Sequence, residues 1–195
     1  MKFSEKQVVA TSKFLSLVLR HKPQVISLDL DSNGWANVDE LLRKASLAKH
    51  PLSLELLQFV VKTNDKKRFS FSDDGSRIRA NQGHSVDVDL GLTAIDPPAI
   101  LFHGTAERFI SSILATGLQK RQRHHVHLSE NKDTAIQVGR RYGVPVLLAV
   151  DARQMAEDGV SFYQADNQVW LTEEVPSRYL TIVSTEWPKL RSRFP

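Results

Sequence analysis

The chain has 195 residues, 41% of them hydrophobic and 25% charged, a composition that buries a core without staples in one large or two small domains. It contains no cysteine, which excludes disulfides, thiolate nucleophiles and cysteine-ligated zinc and points to a reducing compartment, the cytoplasm. Its net charge of +4 is carried by clusters such as Lys66-Lys67-Arg68 and Lys120-Arg121-Gln122-Arg123, which suit a polyanionic partner and read equally as a solvated basic surface. Met1-Lys2-Phe3-Ser4-Glu5-Lys6 holds no signal-peptide apolar stretch, and the most apolar run, residues 144–150, is far too short to cross a bilayer, so no membrane association is expected.

The first helix is announced by Ser4 as N-cap with Gln7 completing a capping box, and by Phe3 facing Val8 as a hydrophobic staple. Its apolar face runs through Phe14, Leu15, Val18 and Leu19. Pro23 lacks the amide a continuing helix needs, so the helix ends near Arg20-His21-Lys22, where the dipole favours cations. A second helix follows Asn37, with Glu40 completing its cap and Leu41, Leu42 and Ala45 facing inward; a third follows Ser53, with Leu54, Leu57, Val60 and Val61 inward. The pattern then alternates over residues 68–72, turns at Asp73-Asp74-Gly75-Ser76 and returns over 77–80 as a basic hairpin. Three helices and a basic hairpin is the order of a winged-helix module, which usually meets nucleic acid.

Residues 83–99, with Gly91 and Pro97-Pro98, form the expected boundary between a lobe of residues 1–92 and one of residues 98–195. The second lobe reads as a strand over 100–103, a helix over 107–116 stopped by Gly117, a strand over 125–128, a helix over 133–141 and a buried strand over 144–150. Strands near 161–164, 168–172 and 179–183 complete it. Turn-length links between these late strands favour an α+β fold with mainly antiparallel sheet.

The Walker loop and the Gly-x-Gly-x-x-Gly turn are both absent, which argues against P-loop and Rossmann enzymes. Instead, arginine and histidine recur in short polar clusters. Leu19-Arg20-His21-Lys22-Pro23, Gly34-Trp35, Lys67-Arg68-Phe69, Ile78-Arg79-Ala80-Asn81-Gln82-Gly83-His84-Ser85, His103-Gly104-Thr105, Arg123-His124-His125-Val126-His127-Leu128-Ser129 and Val169-Trp170-Leu171-Thr172 stand in that order. Over nearly its whole length, the chain resembles the RNA 2′-phosphotransferases of the KptA type.

That resemblance implies an N-terminal winged-helix-like RNA-binding lobe and a C-terminal ADP-ribosyltransferase-like lobe that takes NAD⁺ as a consumed co-substrate. It maps a catalytic tetrad onto Arg20, His21, Arg68 and Arg123, the last preferred to Arg121 because it stands two residues before the His-Val-His strand. His103, Gly104, Thr105, His127 and Val169 then fall at NAD⁺-binding positions, and Lys67, Arg79, Gln82, His84 and Ser85 at RNA-binding ones. Val169 stands where many protein-modifying relatives carry a glutamate, which argues for a phosphate acceptor rather than a protein one. The implied reaction removes an internal 2′-phosphate of the tRNA splice-junction type through an ADP-ribosylated phosphate. It releases nicotinamide and ADP-ribose 1″,2″-cyclic phosphate, and the enzyme is expected to act as a monomer without metal.

Without the resemblance each cluster has an ordinary reading. Arg20-His21 caps a helix C-terminus, Arg68 is a solvated charge, Arg79 flanks the hairpin and residues 82–85 are a polar turn. Equally, His103 is a strand-end histidine, Thr105 caps the next helix, and Trp35 and Trp170 are core or lobe-interface residues, stacking on a base or nicotinamide being their functional alternative. His125 and His127 share one strand face, but Glu130 and Asp133 complete no recognised metal spacing. The rival functions are an ADP-ribosyltransferase acting on another nucleic-acid phosphate or a protein, and a non-enzymatic winged-helix regulator.

Overall fold

A computed structural model of the chain describes residues 2–183; Met1 and residues 184–195, which include the end of the expected second lobe, lie outside the described residues. The chain divides into two compact units, one of Met1–Thr93, Arg121–His124 and Gln164–Gln168, the other of Ala94–Lys120, His125–Tyr163 and Val169–Pro195.

In the first unit, helix α1 (Glu5–Arg20) starts at the expected capping box: Ser4 Oγ accepts from Gln7 N and Gln7 Oε1 accepts from Ser4 N. Leu15, Val18 and Leu19 are buried on its inner face, and Phe3 packs with its ring centroid 5.4 Å from that of Phe59. His21 closes the helix through its N–H to the Leu17 carbonyl, and Pro23–Ile26 turns as a 3₁₀ segment. A short strand β1 (Ala36–Asn37) precedes α2 (Val38–Leu47), whose N-cap Asn37 accepts from Glu40 N. Helix α3 (Leu54–Lys62) starts at Ser53, and strands β2 (Phe69–Phe71) and β3 (Arg77–Ala80) follow.

The sheet runs β1-β3-β2, all antiparallel, with Ala36 opposite Ile78 and Ser70 opposite Arg79. Ala36, Phe69, Ile78 and Ala80 are buried in one core with the helices, while Arg77 and Arg79 alternate outward. The third strand, β1, was absent from the sequence reading because two residues carry no periodicity.

The second unit is built on β4 (Ile100–Ala106), three residues longer than its expected span. There follow α4 (Ile110–Thr116), β5 (Leu118–Gln119), β6 (Val126–Leu128), α5 (Lys132–Gly139), β7 (Pro145–Asp151) and α6 (Ala152–Glu157). Strands β8 (Tyr163–Gln164), β9 (Trp170–Thr172), β10 (Glu174–Val175) and β11 (Leu180–Val183) complete the described chain. Three small sheets result, ordered β11-β7-β4, β6-β9-β8 and β10-β5. β4 lies antiparallel to β7 from Ile100↔Asp151 to Ala106↔Pro145, and a bridge between Phe102 and Ser129 ties β4 to the end of β6. Leu101, Leu148, Met155, Phe162 and Trp170 share the core.

Helix and antiparallel sheet mix throughout, so the α+β reading holds. Among the described residues, no helix is long and apolar enough to cross a membrane.

Candidate functional site

The first unit gathers cations around the end of α1. Arg20 is the last helical residue, and its carbonyl, which no further helical turn satisfies, accepts from Ser85 N at 2.8 Å and Val86 N at 3.3 Å. That pair of bonds pins the loop after β3 to the helix end and brings Ser85 Oγ within 3.0 Å of His21 Nδ1. The Arg20 side chain leaves its own helix and donates through Nη2 to the Arg68 carbonyl at 3.3 Å, with its guanidinium carbon 5.7 Å from the centre of the Phe69 ring. Its Nε is buried with no hydrogen-bond partner.

Arg68 is positioned by residues that the sequence reading did not single out. Asn64 Oδ1 accepts from Arg68 Nη1 at 3.4 Å and from Lys66 N at 3.1 Å, while Asn81 N donates to the Arg68 carbonyl at 2.9 Å. Asn81 Nδ2 also donates to the Lys67 carbonyl, holding Lys67 at a φ of 39°, which non-glycine residues rarely adopt. The signal available in sequence was Asn64 two residues before the basic run and Asn81 directly after the returning hairpin strand.

Mutual repulsion couples the four positions to which the resemblance assigns a tetrad. Burial, then the Arg68 charge, then the Arg123 charge lower the Arg20 guanidinium to about 10, still protonated at neutral pH, and among the described residues no carboxylate acts on it. Burial, then Arg20, then Arg123 also push His21 below its ordinary value. Arg123 lies on the segment Arg121–His124 that belongs to this unit.

His84 is only 1% exposed, and neither ring nitrogen has a hydrogen-bond partner. Burial, then Arg20, His124, His21 and Arg79, lower it to about 3, so it is neutral. Its ring lies 6.4 Å from that of His124, and a Cβ on Gly34 would come within 3.4 Å of its Nε2. Lys67 and Ser85 are exposed, whereas Gln82 and Arg79 are half-buried; Arg79 Nη2 reaches Asp166 Oδ2 at 3.3 Å.

In the second unit, His103 and Thr105 alternate with Gly104 along β4. His103 Nδ1 lies 3.0 Å from the carbonyl of His127 on β6, which fixes the imidazole's orientation. A Cβ on Gly104 would stand 1.6 Å from the Ala135 carbonyl oxygen, and one on Gly139 would stand 2.4 Å from the Thr105 carbonyl oxygen. These two glycines let α5 lie directly on β4 and so set where His103 and Thr105 sit. Thr105 is buried in the strand, and the helical segments after it take no side-chain cap, so the capping reading of Thr105 fails. Val169 is half-buried immediately before β9.

Trp170 is core, its Nε1 donating to Glu130 Oε1 at 2.7 Å, and the His125 ring packs 5.6 Å from that of Tyr163. Among the described residues, no group of three or more histidine, aspartate or glutamate side chains is placed to hold a metal ion.

Comparison with known proteins gives this arrangement a family. The RNA 2′-phosphotransferase, Tpt1 / KptA family matches residues 6–174. A protein of Acaryochloris marina named "Probable RNA 2′-phosphotransferase" is 53% identical over 179 residues, covering 92% of this chain and 99% of the relative. Proteins of the same name from Rhodopirellula baltica and Agrobacterium fabrum are 55% and 58% identical, covering 91% and 89% of this chain and 97% and 93% of the relatives. With a family match over most of its length and relatives more than half identical across that span, the chain belongs to the RNA 2′-phosphotransferase family, a family of transferase enzymes.

Proposed function

We propose that this chain is an NAD⁺-dependent RNA 2′-phosphotransferase that removes an internal 2′-phosphate of the tRNA splice-junction type and releases nicotinamide and ADP-ribose 1″,2″-cyclic phosphate. In this reading the first unit is a winged-helix-like RNA lobe and the second an ADP-ribosyltransferase-like NAD⁺ lobe. The observation that carries it is the buried Arg20 guanidinium, its Nε unpartnered and its charge opposed by Arg68 and Arg123, with no carboxylate among the described residues acting on it. A phosphate monoester, with its second pKa near ~6, is largely dianionic at neutral pH and relieves that repulsion. Planar guanidinium groups hold its oxygens in fixed geometry and favour the charge that develops in phosphoryl transfer.

His21 sits beside this charge with its Nδ1 turned to Ser85 Oγ. Burial, then the charges of Arg20 and Arg123, lower its proton affinity, and a bound phosphate dianion raises it; His21 then supplies a proton to the departing RNA 2′-oxygen. Lys67, Arg79, Gln82, His84 and Ser85 line the RNA side, His84 from beneath the surface.

An oriented imidazole and a hydroxyl on one strand, beside a second histidine, are the hydrogen-bonding groups a ribose and a carboxamide need, so His103, Thr105, His127 and Val169 fit NAD⁺. When bound, NAD⁺ supplies the anomeric electrophile and the ribose hydroxyl that finally takes the phosphate. Gly104 serves by letting α5 close on β4.

The test is incubation with a short RNA bearing one internal 2′-phosphate, with and without NAD⁺, following RNA dephosphorylation and nicotinamide release together. NAD⁺-dependent loss of phosphate with cyclic phosphate formed is the expected result. ADP-ribose retained on the RNA would instead indicate another acceptor chemistry, and no turnover of either substrate would overturn the enzymatic reading.

A further inference from the structure

The outer face of the β1-β3-β2 sheet carries a row of side chains of which the proposed function uses only Arg79. Ala36 opposes Ile78, so Trp35, one residue earlier, comes beside Arg79, with Ser70 on the far side of the same arginine. Ile78 and Ala80 turn into the core, which leaves Arg77 and Arg79 on the outer face. The Arg79 guanidinium carbon lies 4.6 Å from the Trp35 ring centre and that of Arg77 lies 5.4 Å away. Arg79 Nε is buried without a hydrogen-bond partner, although its Nη2 reaches Asp166. A cavity of about 430 Å³ opens over this row, its lining including Trp35, Ser70, Ser72 and Arg79.

Charge decides what such a cavity takes. Arg77 and Arg79 are offset by Asp73, Asp74 and Asp166 in the same lining, so it lacks the positive excess that a phosphate requires. An indole and a guanidinium plane beside a carboxylate acceptor suit a flat, uncharged group with N–H donors. We infer that the Trp35–Arg79 row is a nucleobase subsite, taking one base of the RNA that flanks the 2′-phosphate. This rests on the phosphotransferase reading of the neighbouring cluster, which Arg79 adjoins through its charge on His84.

Labelled 2′-phosphorylated oligonucleotides in which one flanking nucleotide at a time is abasic test the subsite twice: by anisotropy without NAD⁺, and by steady-state turnover with it. At one position, loss of the base weakens binding and raises KM by about ten- to a hundredfold with kcat little changed, the range expected for base–aromatic stacking. In Trp35→Leu that penalty falls toward one while penalties at other positions persist. Trp35→Phe keeps most of it. Arg79→Lys, which retains charge but not the plane, shrinks it and carries the test if Trp35→Leu does not fold. Equal penalties in wild type, Trp35→Leu and Arg79→Lys, or no position-specific penalty in wild type, overturn the subsite. Base-dependent binding without NAD⁺-dependent turnover would keep the subsite and sink the phosphotransferase reading.

Discussion

Arg123 repels the Arg20 guanidinium and disfavours a proton on His21, a repulsion that a bound phosphate relieves. Arg123→Gln should lower kcat/KM about a hundredfold with Tm little changed, the scale of losing one donor to a developing oxyanion. A lowered Tm with intact turnover would make Arg123 a structural residue. His84 gives a prediction of the opposite kind, about pH. Its folded value is depressed to about 3, so the folded state binds no proton there at pH 5 while the unfolded chain, near ~6.5, does. The resulting stability is complete above pH ~6.5 and declines as pH falls toward about 3, by roughly 2 kcal/mol between pH 6.5 and 5. Thermal melts of wild type and His84→Gln across that range should converge or cross as pH falls; parallel curves would show that His84 is not buried neutral. Arg20 and His21 stood out in sequence because arginine beside histidine before a proline is a short, local signal, whereas Arg68 and Arg123 came only from the resemblance. Asn64 and Asn81 were not legible, because their task of holding Arg68 depends on contacts across 4 and 13 positions that only folding brings together.

Elements were legible where they are long enough to show a period or a cap. Helices α1, α2 and α3 start at Ser4, Asn37 and Ser53 as their side-chain caps dictate. Strands β1, β5 and β10, of two residues each, and the six-residue α6, shorter than two turns, do not repeat their period. β4 extends through Gly104 and Thr105 because seven pairings with β7 hold a glycine that local propensity would place in a turn. Helix α5 then packs on that glycine so closely that Gly104→Ala must displace the Ala135 backbone. The expected cost is about 3 kcal/mol or more, read as a drop in Tm, at the upper end of overpacking because the obstructing atom is a carbonyl and not a flexible side chain. Ala135→Gly in the same chain should give no rescue; recovery of Tm in the double variant would mean that side-chain crowding, not helix–strand approach, sets the requirement.

Across the whole molecule, the linear order of the chain is not the order of its units. Residues 121–124 and 164–168 return to the first unit, the latter tied by Asp166 to Arg79 and by Asn167 Nδ2 to the Lys66 carbonyl at 3.2 Å. No local pattern announces such a return, since the bonds that fix it join residues 87 and 101 positions apart. The consequence is that Arg20, His21, Arg68 and Arg123 all belong to one unit, while His103, Gly104, Thr105, His127 and Val169 all belong to the other. Arg68 is held by Asn64 and His103 by the His127 carbonyl, in each case by a bond inside one unit. The two ligands should therefore be separable by mutation. Arg68→Gln should weaken binding of a 2′-phosphorylated RNA about tenfold or more and reduce the dependence of log Kd on log salt by about 0.7, one phosphate contact on a single strand, with NAD⁺ affinity unchanged. His103→Ala should raise the KM for NAD⁺ and leave RNA affinity and its salt slope where they were. Anisotropy titrations at several salt concentrations, beside NAD⁺ titrations of the same two variants, check both arms; if either substitution moved both affinities alike, the assignment of phosphate to the first unit and nucleotide to the second would be wrong.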